Sequence, residues 1–445
     1  MGPVPEDKRG SLSEQLPPLT ENAAAVESDR CLFCYDAPCT HACPTHIDIP
    51  GFIKRISSGN LRGSAQVIYA SNLLGATCAR VCPVQELCEG ACVLGAEHKP
   101  IAIGRLQRHA MDYAHEHKVT PIKNAGSTEH RIAVIGAGPA GLSCAGELAR
   151  RGHSVTVFEK RLLPGGLSTY GIIVLREPME VALDEARMIQ DLGVEIQSER
   201  EMGKDVSMAE LQLDYDAVVL SAGLGQTSGL GIDGEHAIID GLAFIEASKT
   251  EPAEMKIGQN VLVIGAGNTA IDCATIARRL GGGHVTMVYR RSEREMTCYA
   301  HEYHFAREEG IEFRFLSQPL RVLLYGNEPI GLECLRVELG APDRSGRPAP
   351  VLVSGSEFIL EADQIVKAVG QQRPPLAELL GLRTANGYIA VGRDFETSLP
   401  NVYAIGDCIR SNGAASTVMA VQDGKIAAAA IERKLKTRTA TTEES

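Results

Sequence analysis

Arg131–Lys160, RIAVIGAGPAGLSCAGELARRGHSVTVFEK, is the stretch that decides the fold. The apolar run IAVI leads into Gly136-Ala137-Gly138-Pro139-Ala140-Gly141. A helical pattern follows, and VTVF then restores an extended run that ends at Glu159. Strand, glycine turn, helix and strand in that order open a parallel α/β sheet whose turn can wrap a dinucleotide. Bare glycine amides and a helix N-terminus suit a pyrophosphate, and an acid at Glu159 suits ribose hydroxyls. Lys160, beside it, joins the candidate binding residues. A glycine turn without a ligand is the plainer reading, but the strand, helix and acid all stand where a ligand site needs them.

Working outward, a similar unit returns at Asn260–Arg290, NVLVIGAGNTAIDCATIARRLGGGHVTMVYR, with its turn at Gly265, Gly267, Asn268 and Thr269. Its second strand ends at Tyr289-Arg290-Arg291, with no acid. Guanidinium groups there suit a 2′-phosphate, so NADPH is favoured over NADH; a solvated surface pair is the alternative. The runs YDAVVLSAG (215–223) and ADQIVKAVG (362–370) read as strands ending in small residues, where a ligand can approach Ala368 and Gly370. Gly165-Gly166 follows Glu159 closely. The run TSLPNVYAIGD (397–407) ends at Gly406-Asp407, which can offer a carboxylate to a flavin's ribityl chain or serve only as a turn acid.

Eight of the 13 cysteines fall between Cys31 and Cys92, counting both ends. They form two runs, Cys31-x2-Cys34-x4-Cys39-x3-Cys43-Pro44 and Cys78-x3-Cys82-Pro83-x4-Cys88-x3-Cys92. Two runs ending in or containing Cys-Pro point to two 4Fe–4S clusters, while four-cysteine zinc sites use related spacings. A count of thiolates alone takes Cys78 as the eighth ligand, because soft sulfur suits cluster iron. Cys144, Cys273, Cys298, Cys334 and Cys408 are scattered singly and read as small buried residues. The segment IPGFIKRISSGNLRGSAQVIYASNLLG has helical spacing without strand alternation, so a helical, metal-stapled domain is expected.

A net charge of −12 argues against a general nucleic-acid surface. No apolar run approaches the ~20 residues needed to span a bilayer. The opening MGPVPEDKRG lacks an apolar secretory core, so a soluble cytoplasmic protein is expected. Residues 1–25 read as a loose or wrapping arm, 119–129 as a linker, and TRTATTEES as a solvated tail.

With these motifs in hand, the chain resembles the glutamate synthase small-subunit-like family. Within it, the chain is most similar to the NAD(P)H-oxidising, FAD- and Fe–S-containing subunits of bacterial two-subunit dihydropyrimidine dehydrogenases. The strings that carry the resemblance are CLFCYDAPCTHACPTHIDIP, CARVCPVQELCEGAC, IGRLQR and GGLST. Glutamate synthase relatives commonly have an acid where Gln107 stands. One departure matters: Ile173 stands where relatives often have proline. The resemblance implies one cluster on Cys31, Cys34, Cys39 and the amide oxygen of Gln107, and a second on Cys43, Cys82, Cys88 and Cys92, with Cys78 a bystander. It implies FAD contacts at Glu159, Gly166, Leu167, Arg176, Asp407 and Thr417. NADPH contacts are implied at Gly267, Asn268, Thr269, Arg290, Arg291, Ala368 and Gly370.

The expected architecture is an α-helical double 4Fe–4S domain (1–125) followed by two α/β Rossmann-like nucleotide-binding domains. The FAD domain would be split over 126–255 and 362–445, with the NAD(P)H domain at 256–361. The expected activity is oxidation of NADPH or NADH via FAD, with single electrons leaving through two clusters to an FMN-containing partner that reduces uracil or thymine, in a hetero-oligomer. The same module serving a glutamate synthase or a ferredoxin is the alternative, and a non-enzymatic cofactor-retaining protein is a third reading. No acid–base catalyst is expected in this chain.

Overall fold

A computed structural model describes residues 12–122, 126–343, 346–410 and 416–443. Parts of the expected arm (1–11), linker (123–125) and tail (444–445) lie outside the described residues. The chain forms two compact units. One comprises Leu16–Thr169, Arg176–Leu224 and Arg373–Ser445; the other comprises Met1–Gln15, Tyr170–Leu175 and Gly225–Gln372.

The first unit begins with the helices Glu21–Asp29, Pro38–Ala42, Ile49–Ser57, Leu61–Ser71, Gly75–Val81 and Ile103–Glu116, and no strand interrupts them. Each has a local cause. Asp48 caps Ile49–Ser57 by accepting the Gly51 N–H at 2.9 Å, and Asn60 caps Leu61–Ser71 through Gly63 at 2.8 Å. Ile49, Phe52, Ile53 and Ile56 fall at i, i+3, i+4 and i+7, so one face of their helix is apolar and buried. They form a core with Ile68, Leu106 and Met111, each side chain contributing roughly 1.5–3 kcal/mol by burial.

The same unit then builds a parallel sheet from β1 (Arg131–Ile135), β2 (Ser154–Phe158), β3 (Glu195–Gln197), β4 (Ala217–Leu220) and, late in the chain, β16 (Val402–Ala404). The order is β16-β4-β1-β2-β3. β1 is buried on both faces, as its unbroken apolar run requires. The helices Pro139–Arg150 and Thr417–Glu443 cover it. Leu73, Leu74 and Cys78 of the helical region enter this same core, so the sheet and the helices share packing. The end read as a solvated tail stays helical to Glu443.

The second unit carries a matching parallel sheet of β5 (Ile239–Asp240), β6 (Asn260–Ile264), β7 (His284–Val288), β8 (Glu312–Arg314) and β13 (Gln364–Lys367), ordered β5-β13-β6-β7-β8. The chain enters it after Leu224 and leaves it after Gln372. The cause is pairing: β13 adds to β6 and β5 to β13, both in parallel register, which draws the flanking segments into this unit. A second sheet went unforeseen: the antiparallel strands β9 (Ser317–Tyr325), β10 (Glu328–Pro342), β11 (Pro348–Leu352) and β12 (Phe358–Glu361). β14 (Thr384–Ala385) and β15 (Tyr388–Ile389) form a small hairpin in the first unit.

Candidate functional site

Three sites can be built from their residues. At the first glycine turn, Gly136 has φ +102° after β1, and a Cβ there would stand 2.7 Å from the Ser221 carbonyl oxygen. Gly166 has φ +58°, and its Cβ would meet the Gly138 Cα at 2.8 Å. The two backbones are therefore close enough to form a cradle that any side chain would fill. The helix Pro139–Arg150 starts with no side-chain cap, leaving the amides of Ala140 and Gly141 toward the turn. Glu159 is buried at the end of β2, where its carboxylate accepts the Ala137 N–H at 2.7 Å and the Arg161 N–H at 2.8 Å. These bonds fix the acid against the turn and leave lone pairs for a ribose. Lys160 is exposed, Leu167 is exposed, and Arg176 is half-buried. Gly406 and Asp407 follow β16, and burial pushes the Asp407 carboxyl above its ordinary range against the opposing charge of Arg410. Thr417 opens the last helix. Bare amides, close-approaching backbone and a fixed acid fit a dinucleotide such as FAD.

The second turn repeats this design. Gly265 has φ +138°, and its Cβ would stand 2.3 Å from the Ala368 carbonyl oxygen at the end of β13. The helix Asn268–Arg279 is also uncapped by a side chain, and Thr269 lies in its first turn. Asn268 Oδ1 accepts the Tyr299 N–H at 3.0 Å, and a Cβ on Gly267 would lie 3.3 Å from Thr297 Oγ1. The loop after β7 thus closes beside the turn. Sequence reading missed Thr297 and Tyr299, whose only signal is the Ser292–Glu295 capping box that shapes the loop. Gly370, at φ +99°, leaves the strand end open. The two arginines diverge. Arg290 is exposed, whereas Arg291 is buried, donates to the Pro348 carbonyl at 2.9 Å and pairs with Asp343 at 2.6 Å.

The third site is made of thiols. Cys31, Cys34, Cys39 and Cys92 line one pocket, walled by Ile49, Ile53, Ile101 and Ile103. Cys78 is within hydrogen-bond reach of Cys82, whose electrostatic neighbours also include Cys88 and Cys43. The expected grouping is therefore corrected: Cys92 stands with the first run, not with Cys43, Cys82 and Cys88. The segment before it is a series of tight turns, with Cys92 N–H to Glu89 O at 3.1 Å and Ala91 N–H to Leu87 O at 3.0 Å, which sends Cys88 and Cys92 different ways. Gln107 is not in the first pocket; its side-chain amide donates to the Gly75 carbonyl at 2.8 Å, on the helix that carries Cys78. Burial pushes the Cys39 thiol up to about 11 and raises Cys31, so these sulfurs ionise only beside a cation. Among the described residues, no three His, Cys, Asp or Glu side chains crowd closely enough to share a single ion. A four-sulfur pocket of wider span fits a multi-iron cluster.

Residues 8–119 match the family described as dihydropyrimidine dehydrogenase domain II, 4Fe-4S cluster, and residues 130–424 match pyridine nucleotide-disulphide oxidoreductase. The glutamate synthase [NADPH] small chain of Escherichia coli (strain K12) is 36% identical over 433 residues, covering 92% of this chain and 91% of its own. The NAD-dependent dihydropyrimidine dehydrogenase subunit PreT of the same organism is 34% identical over 428 residues, covering 96% of this chain and 97% of its own. Among solved structures, Mycobacterium tuberculosis FprA in complex with NADPH matches with a TM-score of 0.60 at 20% identity, over 71% of this chain and 87% of its own, a likeness of fold. No described helix is long and apolar enough to cross a membrane.

Proposed function

Because the chain belongs to the pyridine nucleotide-disulphide oxidoreductase family and carries a 4Fe–4S domain ahead of it, we propose that it is the electron-input subunit of a two-protein dihydropyrimidine dehydrogenase. It is an NAD(P)H-dependent oxidoreductase. The observation that carries the finer reading is Gln107: its amide donates to Gly75, a bond that an acid at this position could not make while ionised. The second reading, service to a glutamate synthase, is favoured by the 36% identity to that enzyme's small chain.

When bound, FAD and the clusters supply the redox chemistry, taking two electrons as a hydride and releasing them singly. The protein's own residues do the rest. Gly136, Gly138, Pro139, Ala140 and Gly141 hold the FAD pyrophosphate and Glu159 its ribose, with Lys160, Gly166, Leu167, Arg176, Gly406, Asp407 and Thr417 around the remainder. Gly265, Gly267, Asn268 and Thr269 hold the nicotinamide dinucleotide, with Ala368 and Gly370 at its strand-end approach. Arg290 reads the 2′-phosphate of NADPH, while Arg291, buried against Asp343 and the Pro348 carbonyl, holds the strand end beside it. Cys31, Cys34, Cys39 and Cys92 hold one cluster. Cys43, Cys82 and Cys88 hold the other, with either Cys78 or Gln107 in its fourth position; Gln107 donates to Gly75 on the helix that carries Cys78. The partner docks on the helical region, supported by Leu32 and Val93, which line the thiol pocket and are 60% and 46% exposed.

The test uses the whole chain, purified without oxygen and assayed for iron, labile sulfide, zinc and flavin, then for NADPH oxidation with an artificial dye. About eight irons per chain and one FAD are expected. Alone it should leave uracil untouched; with an FMN-bearing partner it should form dihydrouracil. Glutamate formation with a glutamine-dependent partner, and no dihydrouracil, would select the second reading. Stoichiometric zinc without sulfide would sink both.

A further inference from the structure

The last helix, Thr417–Glu443, reaches in two directions within two residues. Asp423 accepts the Gly406 N–H at 3.1 Å and pairs with Arg410, fixing the turn on which Asp407 stands. Lys425 reaches the other way. Its ammonium donates to the Thr45 carbonyl at 2.9 Å and to the Ser71 carbonyl at 3.2 Å. Thr45 is fully buried, and its hydroxyl lies 3.3 Å from the Cys43 sulfur.

The hydrogen-bond partners of Lys425 are thus backbone carbonyls, and no carboxylate pairs with it among the described residues. The ionisable groups that face it are Glu147, the Cys43 thiol, Arg151 and Arg150. Glu147 is already held by Arg150 at 3.1 Å and Arg151 at 2.7 Å, so it offers little compensation. Burial lowers the ammonium below its ordinary range. A half-buried cation without a carboxylate is costly unless another anion answers it. A cluster bound through thiolates is such an anion, and it gains a further negative charge on reduction.

We propose that Lys425 is the countercharge of the iron–sulfur site that includes Cys43 and holds that site's reduction potential up, so that it accepts electrons arriving from the flavin side. This rests on the reading that these thiols bind a cluster. Lys425 is a positioning residue: it acts through its field and through the backbone after Cys43, and touches no reacting atom. A fixed positive charge favours the more negative, reduced state, so its removal makes reduction harder.

The experiment compares the full chain with Lys425→Met, Lys425→Gln and Lys425→Arg, purified without oxygen. Iron, sulfide and flavin contents come first, then a redox titration followed by paramagnetic resonance. The Met and Gln variants should disfavour reduction of one cluster about tenfold, which is about 59 mV for a one-electron couple. The other cluster should keep its midpoint, and Arg should stay within about twofold of the wild type. Should Met cost the protein its iron, Gln, which can still donate to one carbonyl, carries the comparison. Wild-type midpoints in Gln with full iron would overturn the proposal, as would an Arg variant shifted as far as Gln. Absence of iron and sulfide from the wild type would instead overturn the cluster reading itself.

Discussion

Arg290 and Arg291 are adjacent in sequence but have different surroundings. Arg291 is 3% exposed and tied to Asp343, while Arg290 is free of such burial at the end of β7. Arg290→Ala is expected to raise KM for NADPH roughly 10- to 100-fold with little change for NADH, the loss of one charge-assisted contact of about 1.5–3 kcal/mol. Arg291→Ala should instead lower stability by roughly 1–3 kcal/mol, since it removes the buried guanidinium that pairs with Asp343 and donates to the Pro348 carbonyl. Steady-state kinetics with both coenzymes, beside thermal melts, separates the two. The sequence displayed both arginines at the right strand end but could not reveal that one is occupied, because its partner lies some fifty residues on. Glu185 was equally invisible. It accepts the Ala76 N–H at 2.7 Å, and burial, reinforced by Glu177, pushes its carboxyl up to about 8 despite hydrogen bonds from Thr77. Its folded value is raised above the unfolded one near 4.5, so the folded state holds the proton between the two. The stability it contributes is complete below pH ~4.5 and is lost as pH rises through about 8. Thermal midpoints should fall across that window, with a slope approaching about 1.4 kcal/mol per pH unit, and Glu185→Gln should flatten it.

Elements were read unevenly, for physical reasons. Both glycine turns declared their strand, helix and second strand, because a turn that wraps phosphate restricts residue choice at each step. β9 to β12 stayed hidden: register shifts at Pro329/Gly331 and Glu333/Cys334 break the period-two alternation that marks a strand. The helix Ile49–Ser57 was legible from its spacing, but not its double duty. Ile53 is fully buried in the helical core and also walls the thiol pocket. Ile53→Ala should therefore cost about 2–5 kcal/mol and speed iron loss in air, followed by melting and by the decay of visible absorbance. The turns before Cys92 make a sharper prediction. Cys31→Ser and Cys92→Ser should perturb the same paramagnetic signal, and Cys43→Ser the other. Cys92→Ser acting with Cys43→Ser would restore the grouping first expected from resemblance.

At the scale of the molecule, the helical region is not detachable. Leu73, Leu74 and Cys78 belong to the core that also holds β1 and the last helix. Removing residues 1–110 should strip these from the sheet's packing and leave a chain that loses FAD, measurable as flavin retained after gel filtration. A truncated chain that kept its flavin would show the shared core to be dispensable. Sequence marks where a strand ends, but not which sheet it joins, so the outer strands of the second unit's sheet were not legible in it.

The route of the chain into and out of the second unit carries one more consequence. Gly225 donates to the Gln372 carbonyl at 3.0 Å and Gln372 donates back to Gln226 at 2.8 Å, so the entering and leaving strands form a stapled doorway. A breeder of chimeras would cut there, exchanging Gly225–Gln372 between relatives to graft one coenzyme preference onto another's flavin half. Yet Ile173 and Leu175 are buried in that unit's core, and the Leu175 carbonyl accepts the Gln15 N–H at 2.7 Å. The heritable cassette is thus three pieces of text and not one, and a graft that carries only the long piece would inherit a core in which Ile173 and Leu175 come from the other parent.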